Sequence, residues 1–277
     1  MDLSSIIGVV AGLVLVIFVG IGPSKIGNFW DPQSIAIVLG GTLAAVIASY
    51  PFSMLKNVVK HAKILVQGKS YNTGTLIDTL VDMAQLARKN GLLALEERTN
   101  DIDDVFFKQG IMLIVDATEP EEVRTMLENE VDATCQRHEE SAAIYEKASS
   151  YAPAFGMVGT LVGLINMLKA MNMEAGGADD LGPAMSTALV TTFYGSLLAN
   201  LFFLPLAKKL RVRNEEELLY RQIMIEGILA IQSGDNPKFL KEKLLTFLAQ
   251  KDREKIAGSE GGEGDQKPKK EKKSKKK

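Results

Sequence analysis

The chain has one cysteine, two histidines, one tryptophan and, over four long stretches, no charged side chain at all. Each shortage excludes something. A lone Cys135 cannot form an internal disulfide, so the fold uses no covalent staple and suits a reducing compartment. His61 and His138 lie among charged neighbours and make no metal-ligand pattern with Cys135, so both read as surface residues. No phosphate loop, His-Glu-x-x-His, paired-cysteine motif or nucleophile elbow is present. Nor is there a selectivity filter of the potassium-channel type. Enzyme chemistry has no foothold here.

The missing charges decide the class. Leu3–Ser24, Pro32–Leu55, Ala148–Leu168 and Leu181–Ala207 contain no Asp, Glu, Lys or Arg, and they run for 22, 24, 21 and 27 residues. All 66 charged side chains crowd into the remaining 183 residues. A helix of about 20 residues spans the hydrocarbon core of a bilayer. Four such windows predict an all-α polytopic membrane protein with four transmembrane helices. The start, Met-Asp-Leu-Ser-Ser, lacks the basic region and cleavage site of a secretory signal, so the first run reads as a retained helix.

Orientation follows from lysine and arginine near the span ends. Lys25 and Lys169 flank one side. Lys56, Lys60, Lys63, Lys69, Arg137, Lys147, Lys208, Lys209, Arg211, Arg213 and Arg221 flank the other. Both termini and the long middle segment are therefore expected in the cytoplasm. The expected organisation is transmembrane helices at 1–55, a cytoplasmic helical domain at 56–147, transmembrane helices at 148–207, cytoplasmic helices at 208–250 and a lysine-rich tail at 251–277. That tail carries 11 basic and 6 acidic residues and too little apolar surface to fold.

Smaller signals refine the map. Asp31-Pro32 reads as a capped helix start, and Pro153 and Pro183 read as opening spans three and four in the same way. Trp30, Tyr50 and Tyr151 fall near span ends, where amphipathic rings settle. Gly8-x-x-x-Gly12 and Gly159-x-x-x-Gly163 place small residues on one helix face. Leu76, Leu80, Met83 and Ala87 keep helical spacing up to a break at Asn90-Gly91. Glu119-Pro120-Glu121-Glu122 starts a charged helix leading to span three, and Leu210–Ser233 continues span four.

An ion pathway normally needs an ionisable group within the membrane, and the four spans have none. This chain alone is no carboxylate-based pump. Span three does carry Thr160, and span four carries Ser186, Thr187, Thr191, Thr192, Tyr194, Ser196 and Asn200. These groups either bond helix carbonyls and neighbouring helices or complete a path around a partner's carboxylate, and the residues leave both readings open. Arg88-Lys89, an apolar stretch, then Glu96-Glu97 is either a solvated face or a surface offering both signs to a charged partner.

Several segments resemble the MotA/PomA family, the A subunits of bacterial flagellar stators. They are Ala87–Glu96, Ala152–Gly163, Leu181–Gly195, Phe203–Ala207 and Ile225–Gly234. The resemblance covers all but the lysine tail. It implies a multi-pass protein of the bacterial cytoplasmic (inner) membrane, with no cofactor and with Na+ or H+ as cargo. It further implies a homo-oligomer, expected as a pentamer, around two B subunits whose helices supply the ion-binding Asp, and torque exerted on a rotor switch-complex protein. Carried over by position, Arg88, Lys89, Glu96 and Glu97 face the rotor. Pro153 and Pro205 are the conformational prolines. Thr160, Thr191 and Thr192 match pore-facing threonines of sodium-driven members. Lys238 departs from an arginine common after Asn-Pro, which loses any bidentate contact there. The stretch Met173–Ala178 and the tail receive no role. The alternative is the ExbB/TolQ class, ion-driven subunits that energise outer-membrane processes; the expected fourth span and the Arg88–Glu96 block argue against it.

Overall fold

The computed structural model describes residues 3–56, 58, 71–99, 102–171, 178–250 and 252–254. Every regular element among them is helical. In chain order, α1 is Leu3–Val14, extended by a π-helical stretch Leu15–Ile21, and α2 is Pro32–Ser49. Then come α3 Thr73–Asn90, α4 Leu95–Thr99, α5 Val105–Val115 and the 52-residue α6 Pro120–Met171. α7 Ala178–Leu197 passes through a π-helical turn, Leu198–Phe203, into α8 Leu204–Ser233, and α9 is Pro237–Leu245. The chain forms two compact units: Met1–Ser70 with Ala133–Glu216, and Tyr71–Asp132 with Glu217–Lys277. His61 and, apart from residues 252–254, the predicted lysine-rich tail lie outside the described residues.

The first unit holds the charge-free helices. α2 and the helices running through Pro120–Lys169 and Leu181–Ser233 are each long and apolar enough to cross a membrane. Only 22% of each apolar window is buried inside the chain, so these are not core helices of a soluble fold. The first stretch differs from a straight span. It bends by 98° into a short 3-10 helix, Pro23–Phe29. Gly22 makes the corner at φ 81°, a conformation glycine adopts without the Cβ penalty. The expected fourth span is counted only if this bent pair is one span.

Local chemistry explains the ends. Asp31 accepts the Gln33 N–H and caps α2, with Pro32 in the first turn. Pro153 and Pro183, by contrast, start no helix: both lie inside continuous ones. Inside a membrane bundle neighbouring helices and hydroxyl side chains compensate the lost backbone bond, so proline there is tolerated. At the C-terminal end of α2, Tyr50 donates to the Ala143 carbonyl at 3.2 Å, and the Tyr151 and Ser49 hydroxyls lie 2.9 Å apart.

The second unit is a conventional helical core. Leu76, Ile77, Leu80 and Met83 of α3 keep one buried stripe. They pack with Phe106, Phe107, Ile111 and Ile114 of α5, Val123 and Leu127 of α6, Ile223, Ile228 and Ile231 of α8, and Leu240 and Leu244 of α9. Asn72, Asp104 and Asn236 cap α3, α5 and α9 through their side-chain oxygens. Gly91 and Gly234 hold positive φ angles of 85° and 73° at the ends of α3 and α8.

One charge cluster ties this core together. Glu226 on α8 accepts from Arg124 at 3.1 Å and from Lys243 at 2.9 Å. Burial alone would push its carboxyl up, but the two cations outweigh burial and hold it below the usual range. The sign follows. A depressed folded value stabilises the protein above the unfolded carboxyl value of about 4.3, and the gain is lost as pH falls through the folded value. We expect Glu226→Gln to cost about 1 kcal/mol at pH 7 and nothing once wild-type Glu226 is itself protonated. Thermal unfolding of the detergent-purified protein at pH 7 and at acid pH checks this; a gap that persists in acid contradicts it.

Candidate functional site

The first unit's functional geometry rests on glycine. On α6, Gly156, Gly159 and Gly163 face α7, and on α7, Gly195 faces α6. A methyl group placed on Gly195 would lie 2.6 Å from the Ala152 carbonyl oxygen and 3.1 Å from the Pro153 Cα. One on Gly163 would lie 2.7 Å from the Ala184 carbonyl oxygen and 2.9 Å from the Ala188 nitrogen. On Gly156 it would meet the Thr191 carbonyl oxygen at 3.0 Å, and on Gly159 it would run into the Thr191 side chain. The two helices thus touch backbone to backbone. Such approach is available only to small residues and gives close van der Waals packing where no hydrophobic drive between helices exists.

That contact brings two of the three predicted threonines together. The Thr160 and Thr192 hydroxyl oxygens lie 2.5 Å apart. Thr160 is half-buried and Thr192 exposed on the helix face. Around them, the Ala188 carbonyl accepts from Thr160 at 3.0 Å and from Thr192 at 3.4 Å. Thr160 also reaches the Gly156 carbonyl at 3.1 Å. Four oxygens of two helices therefore cluster at one depth.

Thr191 sits elsewhere. It is fully buried on Gly159, and its hydroxyl donates to the Thr187 and Ala188 carbonyls at 2.9 and 3.0 Å. Neighbours on a helix point about 100° apart, so Thr191 packs the helix pair while Thr192 faces outward. The Ala188 carbonyl and the glycine row were not singled out from sequence as site groups. Their signal is the spacing of Ala152, Gly156, Gly159 and Gly163 against Ala184, Ala188, Thr191 and Gly195, all on single helix faces.

The two conformational prolines occupy different settings. Pro153 lies under Gly195 inside α6. Pro205 is the second residue of α8, directly after the π-helical turn Leu198–Phe203. Widening the turn makes room for a ring that would otherwise strike the carbonyl one turn back. Below the spans, Arg211 bridges Glu139 at 2.8 Å and Glu146 at 2.6 Å, and Asn214 joins His138 and Cys135. His138 is thus half-buried and bonded, unlike the surface residue expected from its neighbours. Among the described residues no group of three or more His, Cys, Asp or Glu side chains is placed to hold a metal ion.

In the second unit, α3 ends at Gly91, and a 3-10 turn, Leu92–Ala94, leads into α4. Leu95 is fully buried and Leu92 packs on the core, so the turn is bolted down from beneath. Arg88, Lys89, Glu96 and Glu97 all remain exposed. None of the four forms an ion pair with another described residue. Lys89 also borders a cleft of about 440 Å3 with Asp82, Met83, Leu86, Arg98 and Ile102. The arrangement holds two unneutralised bases and two unneutralised acids on a fixed mount.

Comparison with known proteins gives consistent matches. Residues 98–223 match the family described as MotA/TolQ/ExbB proton channel, and residues 6–91 match the one described as motility protein A N-terminal. The chain is 41% identical over 263 residues to motility protein A of Borreliella burgdorferi, covering 95% of this chain and 100% of that one. It is 38% identical over 253 residues to chemotaxis protein PomA of Vibrio alginolyticus, covering 91% and 98%. Among solved structures it resembles a chain of the flagellar MotAB stator complex from Bacillus subtilis at a TM-score of 0.82. That match has 36% identity and covers 91% of this chain and 98% of that chain.

The glycine contact makes a sharp expectation. Gly195→Ala and Gly163→Ala must push apart backbone atoms that cannot rotate away, at a cost of about 1–3 kcal/mol each. Gly8→Ala, with nothing of this chain within 4 Å of the added methyl, should be silent. Membrane levels and thermal stability of the three variants decide it. Equal behaviour of all three would show that the helices are not held by this approach.

Proposed function

Since the chain belongs to the motility protein A family, it is a stator subunit of a flagellar motor, and we propose that it completes an ion path with a B-type partner and turns ion flow into torque. The observation that carries this is an incomplete site. Thr160, Thr192 and the Ala188 carbonyl gather oxygens between two apolar helices, yet no carboxylate lies within any charge-free stretch. A single-span partner with an intramembrane Asp would supply the missing charge. The structural relatives, C. jejuni MotAB and the flagellar MotAB stator complex from Bacillus subtilis, support such a pairing. We read the assembly as five copies around two B chains in the bacterial inner membrane, with both termini in the cytoplasm. The ExbB/TolQ reading is less supported, because the N-terminal motility model matches from residue 6 to residue 91.

Our reading of the coupling ion is sodium. A proton needs only a titrating carboxylate, whereas a partly dehydrated sodium ion must replace lost water with several oxygens. The Thr160–Thr192–Ala188 cluster offers those oxygens; Thr191, occupied in packing, serves by fixing the helix. Each ion crossing 100 mV delivers about 2.3 kcal/mol whichever ion it is, so selection lies in the oxygen cage rather than in energy. We expect Thr160→Val and Thr192→Val to abolish sodium-dependent swimming while the protein still reaches the membrane. Wild-type torque should vanish in sodium-free buffer at constant proton-motive force. Undiminished torque there would assign the motor to protons and return both threonines to helix packing.

Rotor contact is proposed for the bolted turn. Unpaired Arg88 and Lys89 ahead of Glu96 and Glu97 present both signs outward, which suits a partner with the complementary order. Charge reversal at Arg88 or Glu96 should cut torque several-fold without lowering membrane levels, because exposed charges contribute about 0–1 kcal/mol to stability. A matching reversal on the rotor protein should restore part of the torque. Normal swimming by both single reversals would leave this face a solvated one.

A further inference from the structure

A second cleft of the second unit takes no part in the ion or rotor readings. It lies between α6 and α8 and has a volume of about 440 Å3. Its lining includes Glu128, Val131 and Asp132 of α6, Leu218 and Ile225 of α8, and Phe247 just after α9. Val131 and Ile225 are buried, while Glu128 and Asp132 are exposed. Charge there is unbalanced. Over residues 121–132, α6 carries the five acids Glu121, Glu122, Glu128, Glu130 and Asp132 against the single base Arg124. Arg124 is shared between Glu128 and Glu226, and Glu226 also takes Lys243. Asp132 pairs with no base among the described residues.

The lysine-rich tail leaves the described fold beside this cleft. Arg253 turns back, donating to the Leu248 carbonyl at 2.8 Å and to the Thr246 carbonyl at 2.7 Å, on either side of Phe247. Residues 255–277 follow from that point. Residues 255–266 hold three acids and one lysine, and residues 267–277 hold eight lysines and one glutamate. Twelve residues reach at most about 40 Å, so the basic block can return to the cleft while the acidic stretch before it stays out. Lysine suits such a surface twice over. Its four-carbon stem covers apolar side chains, here Leu218 and Phe247, and its ammonium stays at the wet edge beside a carboxylate. Anionic lipid is the competing surface. Asp132 lies sixteen residues before Ala148, where the charge-free run begins, about 24 Å along α6. The field of a charged leaflet fades within a Debye length of about 8 Å. The acids of α6 are the nearer charge.

We propose that the basic block 267–277 docks in the α6–α8 cleft of its own chain, with its lysines paired to Glu128 and Asp132 and their stems laid over Leu218 and Phe247. Docked, it neutralises the acidic face of α6 and bridges that helix to the segment after α9. Salt releases it. The docking stands apart from the stator reading, since it requires neither the coupling ion nor the rotor.

Zero-length carbodiimide coupling joins a lysine amine to a carboxylate only where the two touch. The full-length chain is treated in nanodiscs of phosphatidylcholine, and the coupled peptide pairs in the monomer band are identified by mass spectrometry. We expect the lysines of 267–277 to couple to Glu128 and Asp132 at least about fivefold more than to Glu96 and Glu97, which are also exposed but lie outside the cleft. The excess should vanish between an ionic strength of about 0.01 M, where the Debye length is about 30 Å, and about 1 M, where it is about 3 Å. Asp132→Lys should cut coupling to the unaltered Glu128 several-fold. Even yields at all four carboxylates overturn the docking. So do pairs confined to the dimer band, which give the block to a neighbouring copy, and pairs lost when phosphatidylglycerol replaces phosphatidylcholine, which give it to the membrane.

Discussion

Everything in the membrane unit depends on how close two helices come. Gly195 lies against the Ala152 carbonyl, and Gly163 against the backbone of Ala184 and Ala188. Side chains can slide or change rotamer, but backbone against backbone admits one register. That register sets Thr160 opposite Thr192 and lets the Ala188 carbonyl serve hydroxyls from both helices. Interhelical hydrogen bonds in membranes are individually modest, averaging roughly 0.6 kcal/mol, so they are a consequence of the packing more than its cause.

Adjacent threonines divide two tasks by helical geometry. Thr191 points into the glycine row and is fully buried; Thr192 points outward beside Thr160. Hydroxyls suit both places because each can satisfy itself on a carbonyl of its own helix when nothing else is present. Charged residues could not wait in this way within a hydrocarbon layer. The absence of charge from the apolar helices and the abundance of threonine, serine and asparagine in Leu181–Ala207 are thus two sides of one constraint.

The helical membrane class was legible in the sequence, because the lack of charge over four windows needs no tertiary knowledge. Capping at Asp31 and the break at Gly91 were legible too, since both are local backbone requirements. The 98° corner at Gly22 was not, because a glycine amid apolar residues reads equally as a span interior. Pro153 and Pro183 misled for a related reason: proline marks a helix start in water, while a membrane bundle lets it stand inside. Resemblance to a family carried three threonines together, but only the packing separates Thr191 from the other two. His138 was read from its charged neighbours, and its bond to Asn214 is a tertiary fact no spacing encodes.

Around the turn between α3 and α4, the charges of Arg88 and Lys89 cancel those of Glu96 and Glu97, and Arg98 leaves the group a net charge of only one. Beyond a Debye length, about 8 Å at physiological ionic strength, a visiting protein feels almost no field from such a group. Inside that distance it feels a strongly ordered one. A surface built this way does not gather partners from afar or hold polyanions by bulk attraction. It is silent until a matching pattern is already nearly in register, and it falls silent again after a displacement of a few ångströms. If this mount, held from beneath by Leu92 and Leu95, docks a partner as proposed, engagement and release become matters of short travel rather than of strong binding.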